Sequence, residues 1–234
     1  MRHRRRALGL VVAALFATSA TVRAQGDGGA ALIEAAARGD LAAVRRALDA
    51  GAPVNATANA RGGSGRGRGR NAVLAATQGG HVEVARLLIE RGADVNAQDE
   101  IDDSAFLLAG ARGHTGIVRA ALPRADPTRL NRYGGTALIP ACHYGHVDTV
   151  RVLLEWRGPN RIDVNHVNRL GWTALLEAVI LGDGGAAHTE IVRLLLAHGA
   201  DPNRADREGV TPLAHAERRG QRAVAALLRG AGAR

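Results

Sequence analysis

The sequence predicts an all-α solenoid of stacked helix-turn-helix units with projecting β-turn or hairpin loops, on three observations. A short motif recurs as Thr136-Ala137-Leu138, Thr173-Ala174-Leu175 and Thr211-Pro212-Leu213, with looser copies starting at Ala30, Asn71 and Ser104. The intervals of 41, 33, 32, 37 and 38 residues fit a unit of about 33 residues with insertions in its loops. Aromatic residues make up only 3% of the 234 residues against 46% apolar residues, so the core is built from thin Ala, Leu and Val layers and not from interlocked rings. That apolar share also excludes a disordered chain.

Arg2, Arg4, Arg5 and Arg6 precede the apolar run Ala7 to Ala17, and Val22-Arg23-Ala24 offers a small-residue cleavage site. The run is shorter than the ~20 residues that span a bilayer. Residues 1–24 are therefore expected to be a secretory signal peptide, leaving a mature chain without a transmembrane span in the periplasm or secreted. The repeat domain occupies residues 25–234, about six repeats, the first and last reading as caps.

Export changes the charge argument. The full chain carries +9, but five arginines leave with the signal, so 26 basic residues face 22 acidic ones in the mature chain. Four more, Arg61, Arg66, Arg68 and Arg70, sit in a Gly/Arg-rich stretch at 61–70, expected to be a mobile loop between the first two units. The remainder is nearly neutral, and the loop has no interleaved aromatics, so nucleic acid is an unlikely partner. The single cysteine, Cys142, can form no intramolecular disulfide and is expected to be a buried, inert thiol.

Within a unit each residue type has a physical task. Thr173 can accept a hydrogen bond from the free amides of a first short helix. Leu175, Ala178 and Val179 give that helix a thin apolar face, so neighbouring units approach closely. Ile191, Val192, Leu194, Leu195 and Leu196 make a heavier second helix, which Gly199 ends by allowing a left-handed backbone. Asp201 and Asn203 then enter a projecting turn. His81, His114, His146 and His188 fall between the two helices, where an imidazole can satisfy neighbouring backbone groups. His143 and His146 are three apart, but the spacing resembles no closed zinc pattern, and no metal or other cofactor is expected.

These motifs resemble the ankyrin repeat family. Its G-x-T-P-L-x-x-A pattern is matched at Gly209 to Ala216, its Gly-His at Gly80-His81, Gly113-His114 and Gly145-His146, and its closing G-A-D-x-N at Gly92 to Asn96 and Gly199 to Asn203. Departures are Ser104-Ala105-Phe106, Pro140 early in its helix, the stretched end Gly158 to Ile162, and the insertion Gly182 to Ala186. The segments from Asn131 to Ala141 and Asn168 to Ala178 resemble those of bacterial exported ankyrin proteins. The resemblance implies a protein-binding module, stabilising or regulating a partner, with first helices and turns lining a concave face.

Turn and first-helix residues that packing does not require are the binding candidates: Asp102, Asp103, Arg132, Tyr133, His143, Tyr144, Arg169, Trp172 and Glu177. Aromatic and arginine side chains are favoured because they bury large areas while keeping a polar handle. Trp172 and Tyr133 are placed in or beside solvent-projecting turns, where they either meet a partner or stiffen the array. The protein partner is unidentified; the alternative is an envelope-associated structural protein meeting anionic lipid or polysaccharide through its basic loop. An enzyme is not expected. There is no lysine for a phosphate loop, no Gly-x-Ser-x-Gly and no His-Glu-x-x-His, and a Glu177–His143 acid/base pair would lie on an open surface that excludes water poorly.

Overall fold

A computed structural model describes residues 28–58 and 69–234. The expected leader at 1–24 and the loop arginines Arg61, Arg66 and Arg68 lie outside the described residues. Arg70 does not belong to a mobile loop. It lies in the short strand β2 (Arg70–Asn71), which pairs antiparallel with β1 (Thr57–Ala58), and its guanidinium is bonded to the Gln78 side chain. Among the described residues no helix is long and apolar enough to cross a membrane.

Six helix pairs follow one another: α1 (residues 28–38) with α2 (Leu41–Asp49), α3 (Ala72–Gln78) with α4 (Val82–Glu90), α5 (Ala105–Arg112) with α6 (Thr115–Ala121), α7 (Leu138–His143) with α8 (Val147–Glu155), α9 (Ala174–Ile180) with α10 (Ala186–Ala197), and α11 (Pro212–Arg218) with α12 (Arg222–Gly230). From the second pair onward, each first helix packs on the first helices beside it, and each second helix on its neighbouring second helices. The result is the two-layered solenoid the sequence predicts. Leu88, Ile117, Leu195 and Leu228 of the outer helices are fully buried, each contributing about 1.5–3 kcal/mol.

The first helices start where a short polar side chain accepts an amide. Asn71, Ser104, Thr173 and Thr211 accept from the N–H of Leu74, Leu107, Leu176 and Ala214 respectively. The fourth repeat departs from this. Its α7 starts after Ala137 without a side-chain cap, and Thr136 Oγ1 is buried without a partner. Pro140 sits in the first turn of α7, where its missing N–H interrupts no helical hydrogen bond.

Two ladders tie the repeats together. His81, His146 and His188 donate from Nε2 to the carbonyls of Ala37, Ala111 and His143, at 3.1, 3.2 and 2.9 Å. Gln221 stands at the same place in the last repeat and donates to Val179 and Gly182. Because a carbonyl only accepts, each of these ring nitrogens must carry the proton. His143 and His146 share no helical face: His143 ends α7 and His146 precedes α8. The second ladder uses Asn55, Asn96, Asn165 and Asn203, whose amides each bond a carbonyl and an N–H of the next closing segment.

Candidate functional site

The projecting turns are built alike. Asp99, Asn131, Asn168 and Asp206 each accept two N–H bonds from residues two and four further on. The residue in between adopts a left-handed backbone. Gly134, Gly171 and Gly209 do so at φ 70°, 86° and 76°, and Asp102 does so at φ 59°. An acidic side chain at that position bears a strain the glycines avoid.

A groove of about 800 Å³ opens between these turns and helices α5, α7 and α9. Six of the nine candidates line it: Asp103, Arg132, Tyr133, His143, Tyr144 and Glu177. Both tyrosines of the chain are therefore here, Tyr133 at a turn tip and 55% exposed, Tyr144 after α7 and 60% exposed. The Arg132 guanidinium lies 5.0 Å from the centre of the Tyr133 ring and 3.7 Å from the Asp103 carboxylate. The Tyr144 ring stacks on His143 at 4.2 Å.

Glu177 is the unusual residue of the groove. It lies on α9 and is only 6% exposed. Its Oε1 accepts 2.9 Å from the Asn168 amide, and its Oε2 lies 3.9 Å from His143 Nδ1, too far for a hydrogen bond. Burial pushes the carboxyl up to about 7, against a downward pull from the Asn168 bond. Burial also lowers His143, with His188 adding to it, and burial raises Asp103 against the pull of Arg132. Cys142, fully buried on α7, is driven well above its ordinary range by burial and then by Glu177.

The other three candidates do not line the groove. Trp172 is half-buried at the end of its turn, where its N–H and C=O both close the turn against Asn168. Arg169 is a brace between turns, its Nη1 donating 2.7 Å to the Arg132 carbonyl and its own N–H 2.8 Å to Tyr133. The Asp102 carbonyl accepts from Gln98. The lining also includes Arg112, Leu170 and Leu181, which are not among the nine candidates, the two leucines 48% and 41% exposed. An apolar residue at a turn tip, where polar ones are the rule, was the available signal for Leu170.

Comparison with known proteins fits this geometry. A family model described as Ankyrin repeats (3 copies) matches residues 7–99 and 157–234, and the single Ankyrin repeat model matches residues 133–169. The chain belongs to the ankyrin repeat family. It is 38% identical to the ankyrin repeat protein YahD of Escherichia coli (strain K12), over 85% of this chain and 94% of that protein. It is similar to the crystal structure of an ankyrin repeat domain from Acinetobacter baumannii AYE at 47% identity and a TM-score of 0.77, covering 87% of this chain and 98% of that one. The ankyrin repeat domain of Bcl-3 superposes with a TM-score of 0.71 at 28% identity, covering 87% and 86%. The ankyrin-repeat fold is a non-catalytic scaffold that mediates protein–protein interaction. Among the described residues no three His, Cys, Asp or Glu side chains are grouped to hold a metal ion.

Proposed function

We propose that the chain works outside the cytoplasm, in the periplasm or after secretion, where it binds a protein partner across the groove of the third to fifth repeats and stabilises or regulates it. The observation that carries the binding face is the pair of exposed tyrosines, Tyr133 and Tyr144, on one 800 Å³ groove. Rings this exposed add nothing to the core, whereas burying them against a partner adds large contact area at little entropic cost. Export rests on the cationic start, the Ala7 to Ala17 run and the Val22-Arg23-Ala24 site.

The test is cross-linking in a Gram-negative host producing the full chain with a C-terminal tag, followed by fractionation and mass spectrometry. A mature chain starting at Gln25 is expected in the periplasm or medium, joined to a discrete protein. Capture should fall at least about tenfold, or 1.4 kcal/mol, in the Tyr133→Ala/Tyr144→Ala double variant with its melting behaviour intact. Undiminished capture by that variant removes the groove from the mechanism. A chain that keeps residues 1–24 in the cytoplasm overturns export. Capture of anionic envelope material alone, lost in high salt, would transfer the function to the surface-associated role.

A further inference from the structure

The groove holds two carboxyl side chains, and they are provided for differently. Asp103 has a cation of its own chain, the Arg132 guanidinium at 3.7 Å. Glu177 has none. Among the described residues its one ion-pairing neighbour within 4 Å is His143, at 3.9 Å, whose imidazole burial keeps neutral at pH 7. Asn168 satisfies Oε1, whereas Oε2 has no protein donor and is not among the buried atoms sealed without a partner, so it opens onto the groove although the residue as a whole is more than nine-tenths buried. A carboxyl in a helix of otherwise apolar residues, Ala-Leu-Leu-Glu-Ala-Val-Ile, is costly to bury.

We infer that this groove receives a cationic side chain of the partner, a lysine ammonium or an arginine guanidinium, with Glu177 as its counter-charge and the exposed Tyr144 and Tyr133 rings at the rim. This rests on the protein-binding reading of the same groove and adds to it the chemistry of the segment that enters. An incoming cation supplies the hydrogen bond Oε2 lacks. Tyrosine faces attract cations, and Arg132 already exploits the Tyr133 ring in this way at 5.0 Å. His143 covers one face of Tyr144 and leaves the ring 60% exposed. The exposed Leu170 and Leu181 suit the methylene stem of such a side chain.

The pairing carries a proton. A cation binds ionised Glu177, so affinity rises with pH up to about 7 and levels off above it, by up to about tenfold per pH unit. The groups facing Glu177 are His143 and Cys142 on α7, with His188 of α10 behind His143 and Arg132 and Arg112 across the groove. On α11, His215 is occupied by Asp206 at 2.7 Å. Protonation of His143 at lower pH repels a cation in the same direction. The Glu177→Gln variant retains that contribution and so isolates the glutamate; it also keeps an oxygen to accept from Asn168.

The experiment titrates the purified exported protein with acetyl-Gly-Lys-Gly-amide and with the same peptide carrying norleucine, followed by NMR at the Tyr133, Tyr144 and His143 resonances between pH 5.5 and 8. The lysine peptide should bind at least about tenfold more tightly than norleucine at pH 8. The advantage should vanish in Glu177→Gln and shrink in Tyr144→Ala. Equal binding of the two peptides, no saturable binding of either, or an unchanged advantage in Glu177→Gln overturns the inference. Capture of the cross-linked partner separates this from the broader reading: a partner retained equally by wild type and Glu177→Gln refutes the cation pocket alone, while no partner for either refutes the binding module.

Discussion

The joint between the second and third repeats and the joint between the third and fourth are made differently. In the first, Asn96 clamps the next closing segment from both sides, donating 2.8 Å to the Arg124 carbonyl and accepting 2.8 Å from the Asp126 N–H. In the second, Thr128 stands where asparagine would, and its hydroxyl turns back to Asp126 at 2.6 Å. That joint relies on close approach of its inner helices instead: a Cβ on Gly110 of α5 would lie 2.5 Å from the Ala137 carbonyl oxygen. The groove straddles this unclamped joint, with walls from the third, fourth and fifth repeats. Residues that recur at one register, His146, Asn131 and Asn168 among them, hold the stack and frame the groove; its charged and aromatic groups are residues that do not recur.

The largest expected effect breaks the close-packed joint. Gly110→Ala forces α5 and α7 apart and should cost about 1–3 kcal/mol, read as a lower denaturation midpoint. A joint that tolerates it at under 0.5 kcal/mol, on the order of ordinary surface substitutions, is not held by this contact. The groove side of the same region should show a pH effect. Because the folded state raises the Glu177 pKa to about 7 from 4.5, the native chain binds more protons than the unfolded one between those values. Stability is then full below about pH 4.5 and falls as pH rises through about 7, by up to about 3 kcal/mol. Glu177→Gln should flatten that slope, and parallel pH profiles for variant and wild type would contradict the burial of its charge.

Smaller effects sharpen the clamp side. Asn165→Ala removes bonds of 3.0 Å to Gly199 and 2.8 Å from Asp201, an exposed pair that contributes about 1–2 kcal/mol together. Hydrogen exchange should rise first in the sixth and fifth repeats, distal to the cut; uniform exchange would mean the stack does not transmit by neighbours. Thr128→Asn introduces the missing clamp and should stabilise by at most about 1 kcal/mol. No gain in melting temperature would mean that the lengthened segment 158–162 holds the fourth closing turn out of reach.

Much of the fold and part of the groove are legible in the sequence. Tyr133 and Tyr144 were visible as rings outside the core pattern, and Asp103, Arg132, His143 and Glu177 as non-core residues on turns and first helices. Trp172 and Arg169 stand in their turn but off the groove. Sequence position locates a residue in a turn, but not whether its backbone closes that turn or its side chain braces the next. Trp172 does the former and Arg169 the latter. Arg70 was misread because a run of glycines conceals where strand pairing resumes.

The sequence by itself determined the repeat, its period, its helix caps and stops and its ladder residues, because each depends on contacts with the next copy at a fixed spacing. Only the tertiary structure decided that Glu177 is buried with one oxygen held by Asn168 and the other given no protein donor. It also decided that Arg132 is committed to Asp103, and that the groove lies over the joint lacking an asparagine clamp. Those properties arise where three repeats converge, and they depend on distances between residues about 30 to 75 positions apart that no local pattern encodes.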